Sequence, residues 1–153
     1  MTLAFNSGDK YSHLLDMVMM TLPLDGLVTL AAPDIFYSTA SDPQFWFRHS
    51  QWPLLQRVLL ARFLVCGFIE MVLEDNGGPE KPLLPSLTEL VVDHASLDWL
   101  LSLPLCDALM KRVEQGVPLD ILDLRTCYYY NPVAVQLFSE IVVDVRIPNP
   151  DDL

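Results

Sequence analysis

The apolar positions of this chain return in a fixed phrase. Leu55-Gln-Arg-Val58-Leu-Leu60, Leu87-Thr-Glu-Leu90-Val-Val92 and Leu119-Asp-Ile-Leu122-Asp-Leu124 all read L-x-x-[LV]-x-[LV], and their first leucines stand 32 residues apart. A looser copy opens 31 residues earlier, at Leu24-Asp-Gly-Leu27-Val-Thr29. Alternation of apolar and polar positions after each opening leucine predicts short strands over Leu27 to Ala31, Gln56 to Ala61, Thr88 to Asp93 and Asp120 to Arg125. Pro23, Pro53, Pro85 and Pro118 lie one or two residues ahead of the four copies. Proline turns the preceding residue away from helix and is tolerated where a strand begins, so it marks these boundaries.

Between the strands the period changes to that of a helix. Leu64, Phe68, Met71 and Val72 share one face of a helix predicted from Phe63 to Glu74, which Asn76-Gly77-Gly78 ends. Leu105, Ala108, Leu109 and Val113 form a second face, stopped by Gly116. Pro132 starts a third, with Val135, Phe138 and Ile141 or Val142 facing inward. A shorter helix is expected over Asp42 to Ser50, and an N-terminal helix or cap within residues 1–21, from about Tyr11 to Thr21. The connection from Asn76 to Pro85 reads as an exposed loop, and residues 148–153 as a poorly ordered acidic tail.

Strand, turn, helix, turn is thus one unit, and no such unit buries its apolar face alone. A period of this size marks a stacked array. The expected architecture is α/β: a single solenoid domain over residues 1–147, of about four strand-plus-helix units, with one parallel concave sheet. Solenoids more often bind than catalyse.

Composition narrows the partners. The hydrophobic fraction is 52%, yet the longest apolar stretch, Val58 to Leu73, is broken by Arg62 and Glu70 and is too short to span a bilayer. No basic region followed by an apolar run opens the chain, so an intracellular protein, in cytoplasm or nucleus, is expected. A net charge of -11 repels a phosphate backbone, which argues against nucleic acid. Cys66, Cys106 and Cys127 lie in apolar patterns without C-x-x-C spacing, as buried free thiols of a reducing compartment would.

The pattern L-x-x-L-x-L-x-x-[NC]-x-L describes leucine-rich repeats, where an inward Asn or Cys turns the chain after the strand. Leu119-x-x-Leu122-x-Leu124-x-x-Cys127 fits through the cysteine. Leu87-x-x-Leu90-x-Val92-x-x-Ala95-x-Leu97 fits with alanine in that slot, and the Leu55 copy departs by placing Phe63 there. The wording of Gln44-Phe45-Trp46-Phe47-Arg48-His49, Gly67-Phe68-Ile69-Glu70-Met71, Leu84-Pro85-Ser86-Leu87-Thr88-Glu89-Leu90, Leu105 to Val113 and Leu119 to Arg125 resembles the leucine-rich region of F-box proteins expanded in mushroom-forming fungi. That resemblance covers roughly Leu22 to Val145. It implies a region that holds the protein to be ubiquitylated, with an F-box elsewhere binding the Skp adaptor of a cullin-RING ubiquitin ligase. No F-box is recognised in this chain, so a fragment or truncated paralogue is an open alternative.

The residues between the inward leucines are expected to line the concave face: Arg57, Leu59 and Ala61, then Glu89, Val91 and Asp93, then Ile121, Asp123 and Arg125, with His94 nearby. Aliphatic residues among charges suit a protein-binding surface. The bland alternative is a solvated strand face whose Arg57–Glu89 and Asp123–Arg125 pairs offset one another. Charges left unpaired would favour binding; a face closed by the terminal segments would favour a structural or vestigial solenoid. Tyr128, Tyr129 and Tyr130 offer an aromatic anchor beside the last strand, or pack under the following helix. Trp46, Trp52 and Trp99 read as core.

Catalytic signatures are sparse, and no cofactor or metal is expected. His13, His49 and His94 show no paired metal spacing, and neither phosphate-cradle glycine motif nor G-x-S-x-G elbow occurs. An enzyme is the third reading, to be revived by a pocket joining His94 to a nucleophile. Met1 to Phe5 and Ile141 to Val145, the candidate end caps, are apolar. The isolated chain is therefore expected to self-associate or to be only marginally soluble, unless a further domain or partner covers an edge.

Overall fold

The repeated phrase folds as a repeated strand. The computed structural model describes residues 1–4, 24–32, 52–74 and 82–148. The expected helices at Tyr11 to Thr21 and Asp42 to Ser50, with Trp46, His13 and His49, the Asn76-Gly77-Gly78 stop and residues 149–153 of the tail lie outside the described residues.

In chain order the elements are β1 (Thr2–Ala4), a 3-10 turn (Leu24–Gly26), β2 (Thr29–Ala32), β3 (Arg57–Ala61), α1 (Arg62–Glu74), β4 (Glu89–Asp93), β5 (Ser96–Leu97), α2 (Trp99–Glu114), β6 (Ile121–Asp123), β7 (Tyr129–Tyr130), α3 (Pro132–Ile141) and β8 (Asp144–Arg146). Six strands form one sheet in the order β1-β2-β3-β4-β6-β8, and every neighbouring pair is parallel. β5 and β7 pair in parallel as a separate two-stranded sheet. The protein is an α/β fold whose main strands lie side by side in chain order.

The register follows the sequence period. Leu30, Val58, Leu90, Leu122 and Val145 stand opposite one another across five strands. The first four are fully buried, and Leu60, Val92 and Leu124 are buried beside them. They share a continuous core with Leu64, Phe68, Leu105, Leu109 and Phe138 from the three helices. Burying each such side chain stabilises the fold by about 1.5–3 kcal/mol relative to exposure.

The strands begin later than the alternation predicts, because the residue ahead of each is used differently. Gln56 and Arg57 both donate their backbone N–H to Val28 O, Thr88 and Glu89 to Gln56 O, and Asp120 and Ile121 to Thr88 O. The last strand also ends early. Asp123 Oδ1 accepts the Arg125 N–H at 3.1 Å, a side-chain turn that takes Arg125 out of the ladder.

The helices have clear starts. Asp98 accepts from Leu100 N and Leu101 N at 3.0 and 3.2 Å, and Asn131 from Val133 N at 2.9 Å, with Pro132 in the first helical position. α2 closes on Gly116, whose φ of 77° is free of steric cost only for glycine. There Val117 N donates to Arg112 O and Gly116 N to Val113 O, the paired bonds of a glycine helix stop.

Several expectations need correction. α2 extends back to Trp99 through Pro104. The proline forfeits a bond only to the carbonyl of Leu100, in the water-facing first turn. Trp99 is 47% exposed and Val113 is also exposed, whereas Trp52 is core as expected. None of the three cysteines is in a disulfide, but Cys66 is exposed and only Cys127 is fully buried. The segments expected to cap the ends are themselves occupied by the outermost strands, β1 and β8. Among the described residues, no helix is long and apolar enough to cross a membrane.

The outer face of the sheet

A strand presents alternate residues to opposite sides, so each buried row leaves a neighbouring row on the other face. One outer row runs Thr2, Thr29, Arg57, Glu89, Ile121, Asp144, and the next Ala4, Ala31, Leu59, Val91, Asp123, Arg146. Of the expected concave-face residues, Arg57, Leu59, Ala61, Glu89, Val91, Asp93, Ile121 and Asp123 thus share one face, with Ala61 and Asp93 paired beyond the second row, whereas Arg125 lies past the end of β6.

Their exposure is uneven. Arg57 and Arg125 are exposed, and Leu59, Glu89, Asp93 and Ile121 are half-buried. Ala61 and Val91 are buried, and Asp123 keeps only 3% of its surface. The apolar centre is therefore a shallow strip in which Val91 lies between Leu59 and Asp123.

The charges around that strip are engaged with one another. Arg57 Nε lies 3.0 Å from Glu89 Oε2. Arg125 forms a fork with Asp123, its Nε 3.0 Å from Oδ1 and its Nη2 2.6 Å from Oδ2. These are the two pairs the bland alternative named. Sequence reasoning missed a third cation: Arg146 Nε donates to Asp144 Oδ2 at 2.8 Å, and Arg146 Nη1 stands 4.0 Å from Glu89 Oε1. Its signal was the alternation Val143-Asp144-Val145-Arg146, hidden because β8 follows β6 after a shorter interval than the repeat.

The Asp123–Arg125 fork has an electrostatic consequence. Hydrogen bonding to the Arg125 side chain holds the Asp123 carboxyl below the usual carboxylate range, against the opposing effect of burial. The same bonds hold the guanidinium of Arg125 above its ordinary value. Both groups stay charged through neutral pH, so this corner is a fixed ion pair and not a proton donor or acceptor.

His94 sits just past β4 with φ of 47°, in the left-handed region that side chains with a Cβ rarely adopt. Its imidazole is exposed, and Nε2 stands 3.9 Å from Asp93 Oδ1. Tyr128 is exposed. Tyr129 and Tyr130 form β7, paired with Ser96 and Leu97, so their backbone is part of the second sheet and not a loop edge.

Cys127, which follows the third copy of the phrase, turns toward the neighbouring strand. Cys127 Sγ lies 3.5 Å from Val92 O, the carbonyl of the neighbouring strand it donates to. Thr126 Oγ1 donates to the same carbonyl at 3.2 Å. Burial pushes the Cys127 thiol up to about 11, so it stays protonated and able to donate. Ala95, in the equivalent slot one unit earlier, is fully buried. In the Leu55 copy, where Phe63 replaces the small residue, α1 begins directly after β3.

Among the described residues, no group of three or more His, Cys, Asp or Glu is placed to hold a metal ion. Comparison with protein-family models, curated proteins and solved structures finds no match to this chain.

Proposed function

We propose that the chain is a leucine-rich-repeat-like solenoid and acts as a non-catalytic protein-interaction module. The solenoid reading is supported by the carbonyl bonded twice ahead of strands β3, β4 and β6 and by the turn of Cys127 onto Val92 O. The observation that carries the function is the outer face itself. Ala31, Leu59 and Val91 make an apolar strip across three adjacent strands, bordered by Arg57, Glu89, Asp123 and Arg125. An apolar centre with a charged rim suits a protein partner. The resemblance to F-box proteins makes that partner a protein held for ubiquitylation, with the Skp adaptor joining only through an F-box supplied elsewhere.

One observation favours a second reading, a structural or vestigial solenoid with no partner on this face. The rim charges already pair among themselves, which lowers their electrostatic pull on a partner. Affinity capture of the tagged chain from its native cells, beside Arg57→Ala, Glu89→Ala and Arg125→Ala combined, separates the two. The interaction reading expects a protein that the wild type retains, cross-links to the sheet face and the triple variant loses; Skp or cullin in that set extends it to ligase adaptation. Identical recovery by both chains overturns it.

A further inference from the structure

α2 is apolar on two sides. Leu101, Leu105, Ala108 and Leu109 face the core, as an amphipathic helix requires. Trp99, Leu103, Cys106, Met110 and Val113 recur at i, i+4, i+7, i+11 and i+14 on another side, a heptad seam about 21 Å long. All of these but the half-buried Cys106 are exposed, and Leu100 beside them is 86% exposed.

We propose that this seam is the docking site for a cationic amphipathic helix of a protein partner, on the helical layer and independent of the sheet face. The exposed parts of Trp99, Leu100, Leu103, Met110 and Val113 amount to roughly 500 Å², near the upper limit for the largest patch on an ordinary monomer. Covering that area with an equal area of partner reaches about 1,000 Å², the threshold of a specific interface. Narrow, straight apolar seams at heptad spacing are matched by a second helix.

Charge decides which helix. Asp107, next to Cys106 in the chain, and Glu140 of α3 are exposed, and the charges of both add to burial in raising the Cys106 thiol. Glu114 is exposed beside the C-terminal end of the seam. The two bases of α2 are committed elsewhere: Lys111 Nζ donates to Leu73 O at 2.8 Å, and Arg112 is buried. An apolar seam with an acidic border selects lysine- or arginine-flanked helices. A second copy of this chain would set acid against acid and bring together two molecules of net charge -11.

The test titrates the full chain into two labelled synthetic 21-residue helical peptides with identical leucine seams, one flanked by lysines and one by glutamates, read by fluorescence anisotropy. The lysine peptide is expected to bind at least tenfold more tightly. Leu103→Asn with Met110→Asn should weaken it at least tenfold, and Asp107→Lys with Glu114→Lys should reverse the preference. All four positions are exposed, and circular dichroism with a urea midpoint checks that each variant folds. Equal binding of the two peptides overturns the proposal. So does lysine-peptide binding that survives loss of the apolar pair, since that is attraction to net charge alone. A stable dimer in sedimentation that Leu103→Asn dissolves would assign the seam to a second copy instead.

Discussion

Replacing Arg112 with methionine keeps most of the side chain's volume while removing the guanidinium that holds the 83–87 turn ahead of β4. In the folded chain Arg112 is fully buried. Its Nη1 donates to Leu83 O at 2.7 Å, and its Nη2 to Leu84 O and Leu87 O at 3.1 and 3.2 Å. Burial pulls its pKa down to about 10. At about 1.4 kcal/mol per pKa unit, holding the charge there costs on the order of 3 kcal/mol. Nε, buried with no hydrogen-bond partner among the described residues, adds to that cost. Against it stand three bonds to a charged donor, each contributing about 1.5–3 kcal/mol. At about 2 kcal/mol each the bonds exceed the cost of the charge by about 3, and the unpaired Nε brings that margin to about 2 kcal/mol. Arg112→Met should therefore lower the unfolding free energy by about 2 kcal/mol, and Arg112→Ala by about 4 because a cavity is added. Urea denaturation followed by tryptophan fluorescence measures both, and amide exchange over Glu89–Asp93 should quicken as the turn loosens. Buried ions replaced by apolar residues can also gain stability. An Arg112→Met chain as stable as the wild type, or more so, would refute the claim that these bonds outweigh the buried charge.

Three other perturbations have worked signs. The folded pKa of Asp123 lies below its unfolded value, so its contribution is present above about pH 4 and is lost as pH falls through the folded pKa. Asp123→Asn retains a side-chain oxygen for the Arg125 N–H but removes the charge, so its stability should change less between pH 6 and pH 2 on the order of a wild-type titration; parallel profiles in acid urea series would sink the argument. His94 holds φ of 47°, so His94→Gly should leave the thermal midpoint equal or raise stability by about 0.5–1 kcal/mol, and His94→Val should lower it by about 1–2. Equal shifts in calorimetry would mean the backbone angle carries no strain. At Cys127, asparagine can still donate to Val92 O, so Cys127→Asn should stay within about 1 kcal/mol of wild type. Cys127→Ala, which loses the donor and leaves a small void, should cost about 1–2 in the same denaturation assay.

The main strands and three helices were legible because their burial follows a single period. Leu30, Val58, Leu90 and Leu122 fill one row of the core, and the inward leucine phrase carries that information residue by residue. The outermost strands were harder to read because they sit off the period. β1 is nonetheless signalled by a repeated tripeptide: Thr2-Leu3-Ala4 recurs as Thr29-Leu30-Ala31, and the two pair residue for residue. β8 arrives early after β6, so period alone passes over it. The pairing of Arg57 with Glu89 and of Arg125 with Asp123 was foreseen as the bland alternative. The contribution of Arg146 was not, since it depends on a strand the period does not mark.

The errors on α2 have a different origin and bear on function. Pattern reading assigns a large apolar residue to the core by default, because most of them bury. A helix with apolar residues on two sides then looks like one wide core face that takes in Val113, and Trp99, ahead of the Leu105 to Val113 face, reads as core by its size alone. Only the packing separates the two sides: Arg112 turns inward to the carbonyls of the 83–87 turn, while Met110 and Val113, flanking it in sequence, point out. A polar residue used as core and apolar residues left outside are both departures from burial economy, on one helix. The first is explained by the turn it anchors. The second has no counterpart within the described fold, and that asymmetry is what directs attention to a partner on the helical layer as well as on the sheet.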